Sequence, residues 1–240
     1  MALRTRPARR RLLDAAAELF YARGVNATGI DAVTARAGVA RKSLYNNFSS
    51  KDDLVLAFLE ERHEEWRALH RARLEETRTP RERVLAVFDA YIDHAEWRSP
   101  QGFRGCGLLN AAAELPVGAP GRAVVRAHKD EVERLLEDAV ADMVSGAEHA
   151  RSGGDSVAHA DDAVQAELAP GLAEHLSFLV EGAVTKAGLD GTTRRLVRAR
   201  RLAAQLIGAP SVDSPRPHDA PQSREVPQSR EIPHSREVSQ

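Results

Sequence analysis

Apolar residues recur every three or four positions through most of the first 208 residues of the chain. This spacing is the period of an amphipathic α-helix, whereas a half-buried strand would alternate apolar and polar residues. No alternation extends over the length of a strand. The pattern therefore predicts an all-α fold, and its first helix, over about 7–23, has an apolar stripe made of Leu12, Leu13, Ala16, Leu19 and Phe20.

Start and stop signals divide the pattern into about nine helices. A short second helix follows Thr28 and stops at Gly38, because glycine readily takes the backbone conformation found just past a helix end. A third helix is predicted over 41–48, and a long fourth from the capping residue Ser50 to about Thr77. The others are predicted over about 80–98, within 103–115, from 120 to 150, over 161–187 and over 192–207, with a loop at 151–160.

The composition changes after Ile207. From Pro221 the chain repeats the hexads PQSREV, PQSREI and PHSREV, in which each apolar residue stands alone among Pro, Ser, Arg and Glu. Such a segment cannot bury a core, so we predict that it is disordered. The expected organisation is an N-terminal domain at 1–51, a larger helical domain at 52–208 and a tail at 209–240.

Charge is distributed unevenly between these domains. The 240 residues carry a net charge of −1, yet residues 1–51 contain ten Lys or Arg and three Asp or Glu, a net charge of +7. The remaining residues contain 24 basic and 32 acidic side chains, a net charge of −8. A basic N-terminal domain favours a polyanionic partner, although a charged surface that is merely solvated would have the same composition.

Composition also restricts the cellular compartment of the protein and the kinds of site that it can contain. The single cysteine, Cys106, excludes an internal disulfide and fits a reducing compartment. No apolar run is long enough to cross a bilayer, and no apolar segment of a secretory signal follows the basic N-terminus. We therefore expect a cytoplasmic protein with no membrane contact. The sequence shows neither metal-ligand spacing nor a Gly-rich phosphate loop, so neither a metal nor a cofactor is expected.

The stretch DAVTARAGVARKSLYNNF has the pattern of a helix-turn-helix. Val33 and Ala37 of its first helix are expected to face Leu44 and Phe48 of its second, with Gly38 in the tight turn. Asn pairs well with base edges, and Arg, Lys, Ser and Tyr are ligands of bases or phosphates. The alternative is a polar helix pair that binds no nucleic acid. The side chains left facing outward are Arg41, Lys42, Ser43, Tyr45, Asn46 and Asn47.

A set of short motifs extends over residues 9–54: F-x-x-x-G, A-G-V, L-Y-x-x-F and S-K-x-x-L. As a set they resemble the DNA-binding domain of the TetR family of transcriptional regulators. The chain departs from the family pattern at Ala40, where a Ser or Thr usually caps the recognition helix, and at Thr34, where the family usually has Ala. Carried over by position, the resemblance implies DNA contacts at Thr28, Lys42, Ser43, Tyr45, Asn46, Asn47 and Lys51.

For the remaining helices the resemblance implies a domain that binds a small-molecule effector and forms a dimer. Cavities between helices have apolar walls and a few polar groups, which suggests candidates on the predicted helices. For His63 and His128 the alternative is a core histidine, and for Cys106 it is a buried, inert thiol. The candidate pocket residues are His63, Trp66, Tyr91, His94, Phe103, Cys106, Asn110 and His128.

The last two helices have apolar faces that exceed what one subunit needs, which predicts a homodimer. The leading hypothesis is a repressor released from a palindromic operator by an unknown small molecule. A DNA-organising protein without an effector stays open, whereas an α-helical enzyme has no catalytic motif in its favour. The candidate interface residues are Leu168, Leu172, Leu176, Leu179, Ala183, Leu196, Leu202 and Leu206.

Overall fold

The structure is a computed structural model that describes residues 7–96, 102–151 and 159–208. Within these ranges the chain forms nine α-helices and no strand, so the expected all-α fold is confirmed. In chain order the helices are α1 (Ala8–Arg23), α2 (Ile30–Ala37), α3 (Arg41–Tyr45), α4 (Lys51–Glu75), α5 (Pro80–Glu96), α6 (Gly107–Glu114), α7 (Pro120–Arg151), α8 (His159–Asp190) and α9 (Arg194–Leu206).

Most helix boundaries lie within a few residues of their predicted positions, but α3 is shorter than expected. It ends at Tyr45 rather than at Phe48. The N–H groups of Asn47 and Phe48 both donate to the carbonyl of Leu44, at 2.9 Å, so a turn replaces the last helical residues.

The predicted loop at 151–160 is wrong at both of its ends. α7 continues to Arg151 and α8 already begins at His159. Residues 152–158 lie outside the described part of the chain, and so does the tail at 209–240 with its predicted disorder.

α1, α2 and α3 form a unit that we call the head. α1 packs on both α2 and α3, and Leu12, Val33 and Leu44 are at most 1% exposed. Gly38 turns the chain between α2 and α3 with a φ of +64°, in the left-handed region that glycine adopts readily. The Arg11 guanidinium donates to the Gly38 carbonyl at 3.2 Å. α1 therefore also holds the turn that sets the angle between α2 and α3.

α4 leaves the head and continues into the remaining helices, α4–α9, which we call the body. The Ser50 hydroxyl accepts from the N–H of Asp53 at 3.0 Å, and the Asp53 carboxylate accepts from the N–H of Ser49 at 2.8 Å. The predicted capping of α4 is confirmed, with the reciprocal bond made to Ser49. α4 contacts α1 in the head and α5, α6 and α7 in the body.

The body is a bundle in which α5 packs against α4, α7 and α9, while α8 packs against α7 and α9. Its largest buried side chains include Phe88 and Leu136, both fully buried. The Arg200 guanidinium of α9 donates two hydrogen bonds, of 2.5 and 3.0 Å, to the Asp89 carboxylate of α5. Such a bidentate pair offsets the cost of burying both charges and fixes α9 on α5.

Candidate functional site

α3 presents a polar face to solvent because its apolar side chain points inward. Leu44 is fully buried, and Phe48, in the turn that follows, is 2% exposed. On the opposite side Lys42, Tyr45 and Asn46 are exposed, Tyr45 to 47%. An exposed phenol beside an ammonium and an amide offers donors and acceptors for phosphates and base edges.

Arg41 extends this face at the N-terminal end of α3. Its guanidinium lies 3.2 Å from the carboxylate of Asp31 and 5.9 Å from the ring centroid of Tyr45. Both side chains of the ion pair are largely exposed, at 62% and 80%. Exposed pairs of this kind contribute little stability, so Arg41 can exchange Asp31 for a phosphate at small cost.

Three of the predicted contact residues, Ser43, Asn47 and Lys51, are half-buried. The side-chain amide of Asn47 donates to the carbonyl of Ser43 at 2.7 Å, and both residues are half-buried. This bond ties Asn47 to the backbone of α3. Lys51 is half-buried at the first position of α4. Asn46 is therefore the exposed amide of the pair.

Thr28 does not belong to this face, which corrects the expectation carried over from the motif. The residue is 1% exposed, and its hydroxyl lies 2.7 Å from the Gly24 carbonyl and 3.3 Å from that of Leu19. A buried hydroxyl bonded to the end of α1 cannot reach a phosphate. Thr28 instead ties the start of α2 to the end of α1.

The missing cap at Ala40 is confirmed. Ala40 stands at the N-cap position of α3 with an extended backbone and makes no side-chain capping bond. A Ser or Thr there would satisfy one of the free N–H groups at the start of the helix. The five-residue α3 is therefore held by Leu44 and by its neighbours rather than by its own cap.

The body encloses a small cavity between α4, α5, α7, α8 and the start of α6. Its volume is about 10 Å³, room for a single water molecule. Any larger ligand must therefore move a wall. The cavity is lined by Trp66, Tyr91, His94, Phe103, Cys106, Leu108, His128 and Val184.

Lys129 brings a positive charge to the edge of this cavity. Its ammonium donates to Glu181 at 2.7 Å and to the Tyr91 hydroxyl at 3.2 Å, and lies 3.7 Å from the Cys106 sulfur. Burial alone lowers the pKa of Lys129, but the surrounding Tyr91, Cys106 and Glu181 raise it by more, so the pKa is raised overall and the ammonium stays charged. Burial also raises the pKa of the Tyr91 phenol, which stays protonated.

The histidines of the cavity are neutral. His128 Nδ1 lies 3.1 Å from Nδ1 of His63, and its Nε2 lies 3.4 Å from the Tyr91 hydroxyl. Burial, together with the charge of Lys129, lowers the pKa of His128 to about 2 and that of His94 to about 4. The cavity thus combines aromatic walls, neutral imidazoles and one ammonium.

One donor of the wall is unused. Trp66 is 1% exposed, and its indole Nε1 has no hydrogen-bond partner among the described residues. The indole stacks on His70, with ring centroids 5.2 Å apart and planes 7° apart. A buried donor without an acceptor is costly, so an acceptor placed beside it would stabilise the protein.

The comparisons with known proteins agree with a DNA-binding role for the head. Residues 12–58 match the model of the bacterial regulatory proteins of the tetR family. Over 128 residues, the chain is 36% identical to the HTH-type transcriptional activator FasR of Mycolicibacterium smegmatis, a match that covers 53% of this chain and 58% of FasR. The chain thus spans somewhat more than half the length of this curated relative.

Solved structures extend the likeness to the body. SCO4454, a TetR-family transcriptional regulator from Streptomyces coelicolor, superposes with a TM-score of 0.67 at 28% identity, over 83% of this chain and 95% of that one. A TetR transcriptional regulator from Chloroflexus aurantiacus gives a TM-score of 0.65 at 28% identity, over 84% and 94%. Residues 12–58 thus match the tetR-family domain, and the fold of the described chain resembles that of TetR-family regulators. Its relatives are regulators rather than enzymes, so the enzyme alternative is set aside.

Two predicted pocket residues lie outside the cavity wall. His63 sits behind His128 and faces the Glu131 carboxylate at 3.3 Å. Asn110 is exposed, and its side chain donates to the carbonyl of Arg104 at 2.9 Å. The other six candidates line the cavity, and their contact with an effector stays a prediction.

Four further residues of the site do not stand out in the sequence. Leu108 and Val184 complete the apolar wall, and Lys129 and Glu181 supply a half-buried ion pair. In a helical sequence a Lys and a Glu separated by 52 positions look like ordinary solvated charges. Only the packing of α7 against α8 brings them together.

The predicted dimer interface requires correction. Leu176 is fully buried, Leu196 is 1% exposed and Ala183 is 9% exposed, so all three belong to the core of the protomer. Leu172 and Leu179 are half-buried against that core, and the side chain of Leu168 lies outside the described residues. Leu202 and Leu206 are exposed and stay candidates for the interface, and Phe178, at 63%, is exposed as well.

Neither a metal site nor a membrane span is found in the part of the chain that the structure describes. No group of three or more His, Cys, Asp or Glu residues there is arranged to hold a metal ion. None of the described helices combines the length and the apolar character that a bilayer span requires.

Proposed function

We propose that this protein is a transcriptional regulator that binds palindromic operator DNA as a homodimer, with α3 of each protomer in the major groove. The observation that carries the proposal is the exposed face of α3, where Lys42, Tyr45 and Asn46 stand opposite the buried Leu44. The net charge of +7 over residues 1–51 supports the same partner. Such a protein acts in the cytoplasm.

The dimer would form through the exposed apolar side chains of α8 and α9. Phe178, Leu202 and Leu206 are 63%, 41% and 60% exposed, which is unusual for large apolar side chains on a single protomer. A two-fold contact between two copies of this surface would bury them and hold the two α3 helices at one spacing. DNA requires about 34–36 Å between successive major-groove sites.

The body cavity is the proposed effector site. Its ring-lined walls favour an apolar molecule, and the unused indole N–H of Trp66 and the ammonium of Lys129 favour a hydrogen-bond acceptor on it. Because the cavity holds only about 10 Å³, a ligand binds by displacing a wall. A ligand that prefers the displaced state shifts the dimer toward it.

The direction of regulation has two candidates. Repression follows when the bound dimer obstructs transcription and the effector releases it, which is the behaviour that the sequence-based hypothesis favours. Activation is the second candidate, because FasR, with 36% identity over 128 residues, is named an activator. Deleting the gene should raise transcription of the genes next to the operator under the first and lower it under the second.

The DNA proposal is tested by selection from genomic fragments. Wild-type protein should enrich a motif with two-fold symmetry, and the double variant Lys42→Ala, Tyr45→Ala should enrich none. Arg71→Ala is the matched control, since this exposed residue lies near the far end of α4 from the head. Failure of the wild-type protein to enrich any fragment would contradict the proposal.

A further inference from the structure

The end of α1 and the segment that leads into α6 are joined by hydrogen bonds in both directions. The Arg104 guanidinium donates to the carbonyls of Tyr21, at 2.6 Å, and of Ala22. The backbone N–H of Arg104 donates to the Tyr21 hydroxyl at 2.5 Å, and that hydroxyl donates to the Gly105 carbonyl at 3.1 Å. These bonds satisfy carbonyls that have no donor within α1 and so close its C-terminal end.

The far end of α6 holds the loop that follows α1. The Glu114 carboxylate accepts from the backbone N–H groups of Val25, at 3.1 Å, and of Asn26, at 2.7 Å. The side chain of Asn26 donates to the Glu114 carbonyl at 3.2 Å. Gly24 lies under this carboxylate with a φ of +91°, and a Cβ there would be 3.0 Å from the Glu114 carboxyl carbon. The close approach and the backbone conformation both require glycine at this position.

The same segment forms one wall of the cavity. Phe103, Cys106 and Leu108 line it, while Arg104 and Gly105 between them bond to α1. The cavity's other lining residues all stand on α4, α5, α7 and α8, whose backbones are held by their own helical hydrogen bonds. Residues 103–106 precede α6 and lack that support. A ligand that widens the cavity would displace this segment against its bonds to α1 rather than against helical hydrogen bonds.

α8 limits where this segment can move. Gly188 of α8 touches it backbone to backbone, because a Cβ at Gly188 would lie 2.7 Å from the carbonyl carbon of Arg104. The segment is therefore held between α8 on one side and the end of α1 on the other. A push from the cavity that cannot move α8 is passed to α1.

We propose that Arg104, Tyr21 and Glu114 form a clasp that positions the head and carries wall movements from the cavity to α1. The proposal rests on the proposed function of the cavity as an effector site. When the cavity is filled, residues 103–108 shift and pull the end of α1 through the clasp. The head then rotates against the body, which changes the spacing of the two α3 helices in the dimer.

α4 offers a second connection between head and body, and the two differ in chemistry. It meets α1 through apolar contacts such as Phe58 on Phe20, with ring centroids 5.5 Å apart, and through one ion pair, Arg10 with Glu61. The Arg10 side chain is 43% exposed, and such surface pairs contribute little. Apolar contacts are non-directional and permit small slips without loss. Hydrogen bonds weaken steeply when their geometry changes, so the clasp transmits a displacement that the α4 contact would absorb.

The test needs no effector, because a methyl group added on α8, where Gly188 touches residues 104–105, displaces the segment directly. Gly188→Ala pushes the segment from α8, and Gly182→Ala is the control on the same helix, because a Cβ there meets nothing within 4 Å. Operator affinity should fall about tenfold or more for Gly188→Ala, and by less than about twofold for Gly182→Ala. Both variants are first checked for the wild-type oligomeric state.

The decisive comparison repeats Gly188→Ala in a background with the clasp removed, Arg104→Ala with Glu114→Gln. In that background Gly188→Ala should change operator affinity by less than about twofold. Arg126→Ala, at an exposed arginine on α7, is the control background, and there Gly188→Ala should keep its full effect. Equal losses with and without the clasp would overturn the proposal. If Gly188→Ala does not fold, Cys106→Phe enlarges the same segment from the cavity side and replaces it.

A second readout separates the clasp from the DNA proposal. Hydrogen exchange of the amides of Val25 and Asn26 should quicken in Glu114→Gln and in Gly188→Ala, and should stay unchanged in Gly182→Ala. This result would support the clasp even if no operator is found, which would count against the proposed function alone. Unchanged exchange at these amides in Gly188→Ala would overturn the clasp.

Discussion

The face of α3 and the cavity of the body are built in opposite ways. α3 takes its exposed groups from neighbouring positions, Lys42, Tyr45 and Asn46, and a single buried residue, Leu44, orients them. The cavity takes its groups from positions as far apart as Trp66 and Val184. A surface site needs only local geometry, whereas a buried site needs the whole bundle to be folded first.

The two regions also treat charge differently. The face of α3 leaves its basic groups exposed or in weak surface pairs, which suits exchange with phosphates. The body pairs its charges internally, Lys129 with Glu181 and Arg200 with Asp89. Substitutions in the head should therefore change binding, and substitutions in the body should first change stability.

The largest contrast is expected between two aromatic residues, one from each region. Trp66→Ala removes a fully packed indole and should lower the free energy of unfolding by about 3–5 kcal/mol. Tyr45→Ala removes an exposed ring and should change it by less than about 0.5 kcal/mol while weakening operator binding. Urea unfolding and DNA titration of both variants measure the contrast. If Tyr45→Ala lowered the free energy of unfolding as much as Trp66→Ala, the predicted contrast would be wrong.

The next effect concerns the surface through which we propose that two bodies join. Phe178→Glu should convert the dimer to a monomer and lower operator affinity on the order of 100-fold, because a charge at the centre of an apolar interface must be desolvated. Val117→Glu is the matched control, since Val117 is 94% exposed. Sedimentation velocity at micromolar protein reports the oligomeric state. A monomeric wild-type protein would remove the dimer from the account.

The sequence predicts the face of α3 better than the cavity, because the first depends on local geometry and the second on the packing of the whole bundle. The apolar period gave nine helices, and the exposed residues of α3 follow from the spacing around Leu44 and Gly38. The predicted DNA contact of the Thr28 hydroxyl is wrong, because a motif match does not report whether a short polar side chain is buried.

In the body the helices were predicted but their faces were not. Leu176 and Leu196 were expected at a dimer interface and are core residues, since an amphipathic stripe does not reveal which neighbour covers it. Lys129 and Glu181 were missed because their pairing depends on the register of α7 against α8. Long-range packing is the information that a single sequence lacks.

A third effect, of intermediate size, is an acid sensitivity located in the body. The pKa of His94 is about 4 and that of His128 about 2, both lowered first by burial, whereas in the unfolded chain both lie near the ordinary value of about 6.5. Below pH 6.5 the unfolded chain takes up protons that the folded protein does not. Stability should therefore be constant above pH 6.5 and fall as the pH drops toward 4, by about 1.4 kcal/mol per pH unit for each histidine.

Urea unfolding at pH 7.5, 6.5 and 5.5 measures this dependence. His128→Gln should reduce the slope below pH 6.5, and His175→Gln, at an exposed position on α8, should leave it unchanged. A slope that His128→Gln does not alter would show that this imidazole is not held neutral.

The smallest expected effect returns to the head. Ala40→Ser supplies the missing cap of α3 and should stabilise the head by about 1 kcal/mol. Slower hydrogen exchange of the α3 amides would report it, with Ala35→Ser, an exposed position inside α2, as the control. Unchanged exchange would mean that the turn around Gly38 already fixes α3.

The most direct test of the central claim, that the head binds DNA through α3, is the salt dependence of operator binding. If the dimer contacts about 6–10 phosphates, affinity should fall by roughly 10³–10⁵ between 50 and 200 mM salt. Lys42→Ala should reduce the magnitude of the log–log slope by about 2 per dimer, one phosphate contact per protomer, whereas Arg71→Ala should leave it unchanged. A slope near zero, or one that Lys42→Ala does not alter, would contradict the account.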